Sequence, residues 1–262
     1  MKNNKSDRFL KLIEILKELR SPDGCDWDKE QTHKSLIPYL TEETYEVIEA
    51  IENNDSKALK EELGDLMLHV LFQAELSSEK GEFDIFDSLD SINNKLISRH
   101  PHVFNKSLND ESWNKKGSWE QSKKKEKKRK SILEGVPKSL PGLLRSRRIQ
   151  EKASSVGFDW TEVEPVINKV EEELDEVKEA IEQNSKEQIS MELGDLMFAV
   201  VNLSRFYNID PESALKKSTD KFINRFNKVE EKINKDGKRM EESDLETMDK
   251  IWNEIKLSEK EQ

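Results

Sequence analysis

The residues with the most chemistry to offer are carboxylates at a fixed spacing. Glu172, Glu173 and Glu176 form a Glu-Glu-x-x-Glu cluster, and Glu192 and Asp195 follow as Glu-x-x-Asp. The same constellation stands 130 positions earlier as Glu42, Glu43 and Glu46 with Glu62 and Asp65. At roughly 100° per residue on a helix, Glu173, Glu176, Glu192 and Asp195 fall on the flank of an apolar stripe, as do Glu43, Glu46, Glu62 and Asp65. Packing two such stripes together would bring four carboxylates of each copy to one edge. Carboxylates crowded at a partly dry edge repel one another and resist losing water, so the arrangement calls for a compensating charge. A hard divalent cation supplies it: Mg²⁺, with Mn²⁺ as a substitute, takes oxygen ligands and is commonly shared between protein carboxylates and substrate phosphates.

A single Glu-Glu-x-x-Glu in a chain with 38% charged residues is ordinarily a solvated helix face. The repetition argues otherwise, because neighbouring positions have drifted, Thr41 against Glu171 and Glu61 against Met191, while the carboxylates have not. Basic residues offer the other half of a phosphate site. Lys221 and Arg225 share a helical face at i and i+4, and Lys169 precedes the acidic cluster. Trp252 and Trp119, near the ends of the two copies, are candidates for stacking on a base. No Gly-x-x-x-x-Gly-Lys-Ser/Thr loop exists, so a nucleotide would not be held by a P-loop.

The elements that must position these groups read as helices. Leu40, Thr44, Val47 and Ile51 are answered by Val170, Leu174, Val177 and Ile181, at i, i+4, i+7 and i+11. Leu63, Leu66, Met67, Val70 and Leu71 are answered by Leu193, Leu196, Met197, Val200 and Val201. Each copy therefore holds two amphipathic helices joined by a polar turn, Asn53-Asn54-Asp55 or Asn184-Ser185. A third helix ends each copy at a basic pair, Lys95 with Arg99 or Lys221 with Arg225, and Asp210-Pro211 reads as a cap followed by proline in the first turn. The fold class is all-α: two tandem helical modules with bundle packing, 1–134 and 135–262, joined through a basic run at 123–130 and Pro137 and Pro141. A lone pair of helices leaves apolar surface uncovered, which calls for packing between modules or between chains.

Composition closes off several alternatives. A net charge of -11 and a pI near 5.1 argue against a dedicated nucleic-acid partner, and the basic run reads as a solvated linker. Cys25 is the one cysteine, which excludes an internal disulfide and a Cys-based zinc site and fits a reducing cytoplasm. No stretch approaches the ~18 apolar residues of a membrane span, and the N-terminal residues have the pattern of a helix surface, not of a signal segment.

With these marks in place, the chain resembles the MazG family of nucleoside triphosphate pyrophosphohydrolases in its two-module form. The resemblance rests on the carboxylate constellation together with Gly-Phe-Asp-Trp at 157–160, Cys-Asp-Trp-Asp at 25–28 and Arg99-His100-Pro101-His102-Val103-Phe104. It implies a homodimer that cleaves a nucleoside triphosphate to the monophosphate and pyrophosphate with Mg²⁺. It also implies that the C-terminal copy does the chemistry while the N-terminal copy is structural or regulatory. Glu172, Glu173, Glu176, Glu192 and Asp195 would then bind metal or position water, and Lys169, Lys221, Arg225 and Trp252 would contact the nucleotide. The expected mechanism is attack of an acidified water in line at phosphorus, with Lys221 and Arg225 neutralising the leaving pyrophosphate and Glu172 orienting the water or accepting its proton.

Two departures qualify the match. Gln188 and Met191 stand where family members can carry a Lys and a further Glu. In the N-terminal copy Tyr39 stands opposite Lys169, and Pro101 should end its third helix early. Rival readings are a nucleotide or metal sensor acting through a partner, and a scaffold whose acidic edges bind a basic protein.

Overall fold

The computed structural model describes residues 5–104 and 130–259. Within them every regular element is helical. The chain divides into two compact units, Met1–Asp110 and Glu111–Gln262. Ile132 accepts a hydrogen bond from Lys152 Nζ at 3.0 Å, so residues just before the expected boundary at 134/135 pack with the second unit. Trp119 and residues 123–129 of the basic run lie outside the described residues.

The first unit runs α1 (Lys5–Arg20), α2 (Asp26–Glu30), α3 (Ile37–Glu52), α4 (Ser56–Ser78), α5 (Ile85–Arg99) and the one-turn α6 (Pro101–Phe104). The second runs α7 (Gly142–Ser154), α8 (Glu164–Glu182), α9 (Lys186–Phe206), α10 (Pro211–Lys235), a 3-10 turn at Met240–Glu242 and α11 (Leu245–Ser258). Helix starts follow side-chain chemistry. Asp55 accepts from the amides of Lys57 and Ala58, Ser185 from Gln188, Asp210 from Ser213 and Asp244 from Thr247, each satisfying a donor that the first turn leaves open. The turns before α4 and α9 reverse at Asn54 and Asn184, both at φ 54°, a conformation asparagine tolerates better than most residues.

In each unit the two carboxylate-bearing helices form the main pairing: α3 with α4, and α8 with α9. Helix α1 lies on α4, and α7 lies on α9 and α10. The first unit's core is Leu16, Leu36, Leu71, Phe72, Ala74, Leu76 and Ile85. A second cluster, Val229, Ile233 and Ile251, joins α10 to α11.

The buried faces are rotated from the apolar stripes expected for them. On α8 the covered positions are Val166, Glu173, Val177 and Ala180, whereas Leu174 and Ile181 remain 43% and 56% exposed. On α3, Ala50 is buried and Ile51 is 55% exposed. The carboxylate Glu173 thus belongs to the buried face instead of its flank. The third helices differ as well. Helix α5 stops at Arg99 just before Pro101, as proline dictates, while α10 continues past Arg225 to Lys235 and is followed by α11.

Candidate functional site at the α8–α9 junction

Carboxylate oxygens of Glu173, Glu176 and Glu192 all lie within 4.8 Å of one another, brought together by the pairing of α8 with α9. Glu173 is buried, and its Oε2 has no hydrogen-bond partner among the described residues. Its Oε1 receives Lys169 Nζ at 2.7 Å, and the same ammonium reaches Glu172 Oε1 at 2.7 Å. A buried acceptor left unmatched is costly, and three convergent acidic oxygens are a donor set suited to a hard divalent cation. Loss of hydration, then Glu173 and Glu192, raises the Glu176 carboxyl above its ordinary value. The Lys169 ammonium is held charged by Glu172 and Glu173.

Asp195 is not in that triad; it lines, with Glu173 and Lys169, a hollow of about 590 Å³ next to it. The structure therefore gathers three of the four expected carboxylates into one cluster and sets the fourth at its edge. The first copy repeats the pattern with a different membership: Glu43, Glu62 and Asp65 converge within 4.8 Å, and Glu46 is outside the triad. Glu43 is raised by desolvation, then by Glu46, Asp65 and Glu62, and Glu62 by desolvation, then by Glu46, Asp65 and Glu61. Glu42 is exposed and stands apart from this triad. Buried His69 places Nε2 3.9 Å from Glu43, and Tyr39 fills the position that Lys169 holds in the second copy.

The basic pair is placed less directly. Lys221 and Arg225 stand 10 and 14 residues beyond Pro211 on α10, while Asp195 and Glu192 stand 11 and 14 residues before Phe206 on α9. These helices pack much less closely than α8 and α9, and no described hydrogen bond, ion pair or pocket links the pair to the carboxylates. Arg225 instead donates to Glu259 at 2.7 Å and lies 5.7 Å from the centre of the Trp252 ring. Trp252 is half-buried, with its ring centre 5.1 Å from that of Phe222, and packs against the Val229, Ile233 and Ile251 cluster.

Several residues near the carboxylates carried no sequence signal of their own. Beside Phe158 of the Gly-Phe-Asp-Trp loop, Gln150 on α7 and Asn202 and Arg205 on α9 line the same hollow as Glu173. They come from segments without a distinctive spacing, and only comparison of the two copies could have drawn attention to them. The loop is held by Asp159, which accepts from Arg205 Nη1 at 2.9 Å and from the Ser154 hydroxyl at 2.6 Å.

Comparison with known proteins identifies the repeated module. The MazG nucleotide pyrophosphohydrolase domain matches residues 31–104 and again 162–230, so that each match contains one carboxylate cluster. The chain is 50% identical over 250 residues to the nucleoside triphosphate pyrophosphohydrolase/pyrophosphatase MazG of Thermotoga maritima, covering 95% of both chains. It is 44% identical over 262 residues to the nucleoside triphosphate pyrophosphohydrolase of Escherichia coli strain K12, covering 98% of both. It is also 43% identical over 249 residues to the uncharacterized protein YabN of Bacillus subtilis, covering 94% of this chain and 51% of that one. A twice-repeated domain match and near full-length identity of this order place the chain in the MazG nucleotide pyrophosphohydrolase family, in its tandem form.

Proposed function

We infer that the chain is a nucleoside triphosphate pyrophosphohydrolase, cleaving a ribo- or deoxyribonucleoside triphosphate to the monophosphate and pyrophosphate. The observation that carries the chemistry is the junction of α8 and α9, where a buried, unmatched Glu173 oxygen meets Glu176 and Glu192. Glu173, Glu176 and Glu192, with Asp195 at the edge, would hold Mg²⁺, or Mn²⁺ in its place. When bound, the cation would supply charge neutralisation for phosphate oxygens and acidification of the attacking water.

The remaining work falls to side chains of the chain itself. Lys169 holds Glu172 and Glu173 in place and offers positive charge to the phosphate tail. Water adds to the α-phosphorus while the bond from that phosphorus to the bridging oxygen breaks, and pyrophosphate leaves with the electron pair. Glu172 takes the water's proton, in exchange for its contact with Lys169. The triphosphate spans the gap between α9 and α10, where Lys221 and Arg225 neutralise the leaving group once Arg225 exchanges Glu259 for phosphate. Trp252, packed beside Arg225, acts by setting that guanidinium.

The first copy is structural or regulatory, and the working assembly is a homodimer. Among the described residues no helix is long and apolar enough to cross a membrane. A nucleoside triphosphate substrate points to the cytoplasm as the working compartment. The test is release of pyrophosphate from a panel of nucleoside triphosphates with Mg²⁺. Glu176→Ala and Asp195→Ala should each lower the rate at least ~100-fold, the order seen when a charge-stabilising catalytic group is removed, while Glu46→Ala keeps most of it. Equal losses from Glu46→Ala and Glu176→Ala would overturn the division of labour between copies.

A further inference from the structure

At four positions within the repeat that line the hollow beside the second copy's carboxylates, the first copy carries bulkier side chains. Aligned through Asp26-Trp27 with Asp159-Trp160, Arg20 stands where the second copy has Ala153. Aligned through the carboxylates, Tyr39, His69 and Phe72 stand where it has Lys169, Ala199 and Asn202. In the first copy these larger groups fill the space against one another. Tyr39 stacks on His69 with ring centres 6.3 Å apart, Trp27 meets Tyr39 edge-on at 5.8 Å, and the Arg20 guanidinium covers the buried Phe72 ring at 5.3 Å. In the second copy Ala153, Ala199 and Asn202 line the hollow instead.

Its shape and chemistry suit a flat heteroaromatic group. A volume of about 590 Å³ lies within the range of small-molecule sites. Ile149, Trp160, Val166 and Phe198 supply apolar walls, and Glu173 and Asp195 stand at the side where the phosphates would lie. Two amides supply polarity. Gln150 is buried at 7% exposure; its Nε2 donates to the Phe198 carbonyl at 2.9 Å, and its Oε1 is a buried acceptor with no partner among the described residues. Native interiors rarely leave such an acceptor unmatched, so it marks where a ligand donor belongs. Asn202 accepts from Arg205 Nε at 2.9 Å through Oδ1, which leaves its amide N–H groups as what it can offer.

We propose that this hollow seats the base of the nucleoside triphosphate, that Gln150 accepts from and Asn202 donates to its polar edge, and that the first copy, closed at the same place, takes no nucleoside. The assignment rests on the pyrophosphohydrolase reading of the neighbouring carboxylates. It places the base among α7, α8 and α9 and away from Trp252.

Wild-type full-length chain, mixed with Mg²⁺ and a nucleoside triphosphate carrying a photoreactive azido group on its base, reports the seat directly. Adducts should map to peptides within 149–160 or 198–205. Adducts confined to α11 around Trp252, or to the first copy, overturn the proposal. Refilling the hollow gives an independent check: Ala199→His with Asn202→Phe should weaken nucleoside triphosphate binding at least tenfold, while inorganic tripolyphosphate and Mn²⁺ bind within twofold of wild type. Unchanged nucleotide affinity overturns it. Should that double variant fail to fold, Gln150→Leu and Asn202→Leu singly should alter the ranking of the four bases by kcat/KM, and an unaltered ranking in both again refutes it. A chain that labels at 149–160 yet releases no pyrophosphate would instead refute the hydrolytic reading and leave the base seat standing.

Discussion

At the scale of single residues, the decisive feature is a carboxylate where an apolar side chain would serve stability better. Glu173 occupies a buried position of α8, and among the described residues Lys169 is the cation paired with it. Such a group is strained until a cation joins it. Mg²⁺ should therefore raise the melting temperature of the chain, with ~2.7 kcal/mol of stabilisation at a free concentration a hundredfold above the dissociation constant. In Glu173→Gln that gain should largely disappear; a full Mg²⁺ shift in this variant would show that the cation binds elsewhere. The pH dependence has a definite sign. Glu176 is raised by lost hydration and by Glu173 and Glu192, so the folded chain keeps a proton that the unfolded chain releases near the ordinary carboxylate value of ~4.3. Metal-free stability is eroded by this group as pH rises through that window. Glu176→Gln should accordingly gain on wild type between acid and neutral pH in chelator, as followed by thermal melts. A constant difference would contradict the crowding.

At the scale of elements, α10 begins at a junction that holds the second unit's helices in register. Asp210 caps α10 through the Ser213 amide at 2.9 Å and accepts from Arg147 Nη1 of α7 at 2.8 Å. Burial pushes this carboxyl up, but Ser213 and Arg147 together bring it below its ordinary value. A depressed acid stabilises the fold above its unfolded value and loses that contribution as pH falls through the folded one. Asp210→Ala should cost ~0.5–2 kcal/mol at neutral pH, the range for loss of a helix cap, with the gap to wild type closing below about pH 4. Denaturant melts at pH 7 and pH 3 check both parts. Because α10 carries Lys221 and Arg225, the same variant should raise KM for a nucleoside triphosphate more than it raises the Mn²⁺ dissociation constant.

At the scale of the whole molecule, rotation of the buried faces leaves apolar side chains uncovered along the paired helices. Leu174, Ile181, Met197 and Phe222 in the second unit are each more than 40% exposed, as are Tyr45, Ile51 and Met67 in the first. Large apolar patches on a protein surface commonly serve as interfaces. The homodimer inferred above should appear in sedimentation at micromolar concentration, and Ile181→Glu with Met197→Glu should shift it towards monomer with a lower melting temperature. A wild-type chain that sediments as a monomer with these faces accessible would refute the assembly.

The sequence by itself determined the duplication, the helical class, the cap of α10 at Asp210 and the identity of the carboxylates, because each is written in local spacing or in a repeat. Helix pairs at 37–52 with 56–78, and at 164–182 with 186–206, follow from periodicity and from the turns at Asn54 and Asn184. Which carboxylates converge was decided by tertiary structure. The rotation of α8 on α9 buries Glu173 beside Val177, joins Glu176 and Glu192 to it, and leaves Asp195 at the margin. Periodicity gives the direction of a face only to within a residue or so, and one residue is about 100°. The hollow lay beyond local reading altogether. It exists because Ala153, Ala199 and Asn202 are small where Arg20, His69 and Phe72 are large, on helices that meet only once the chain has folded.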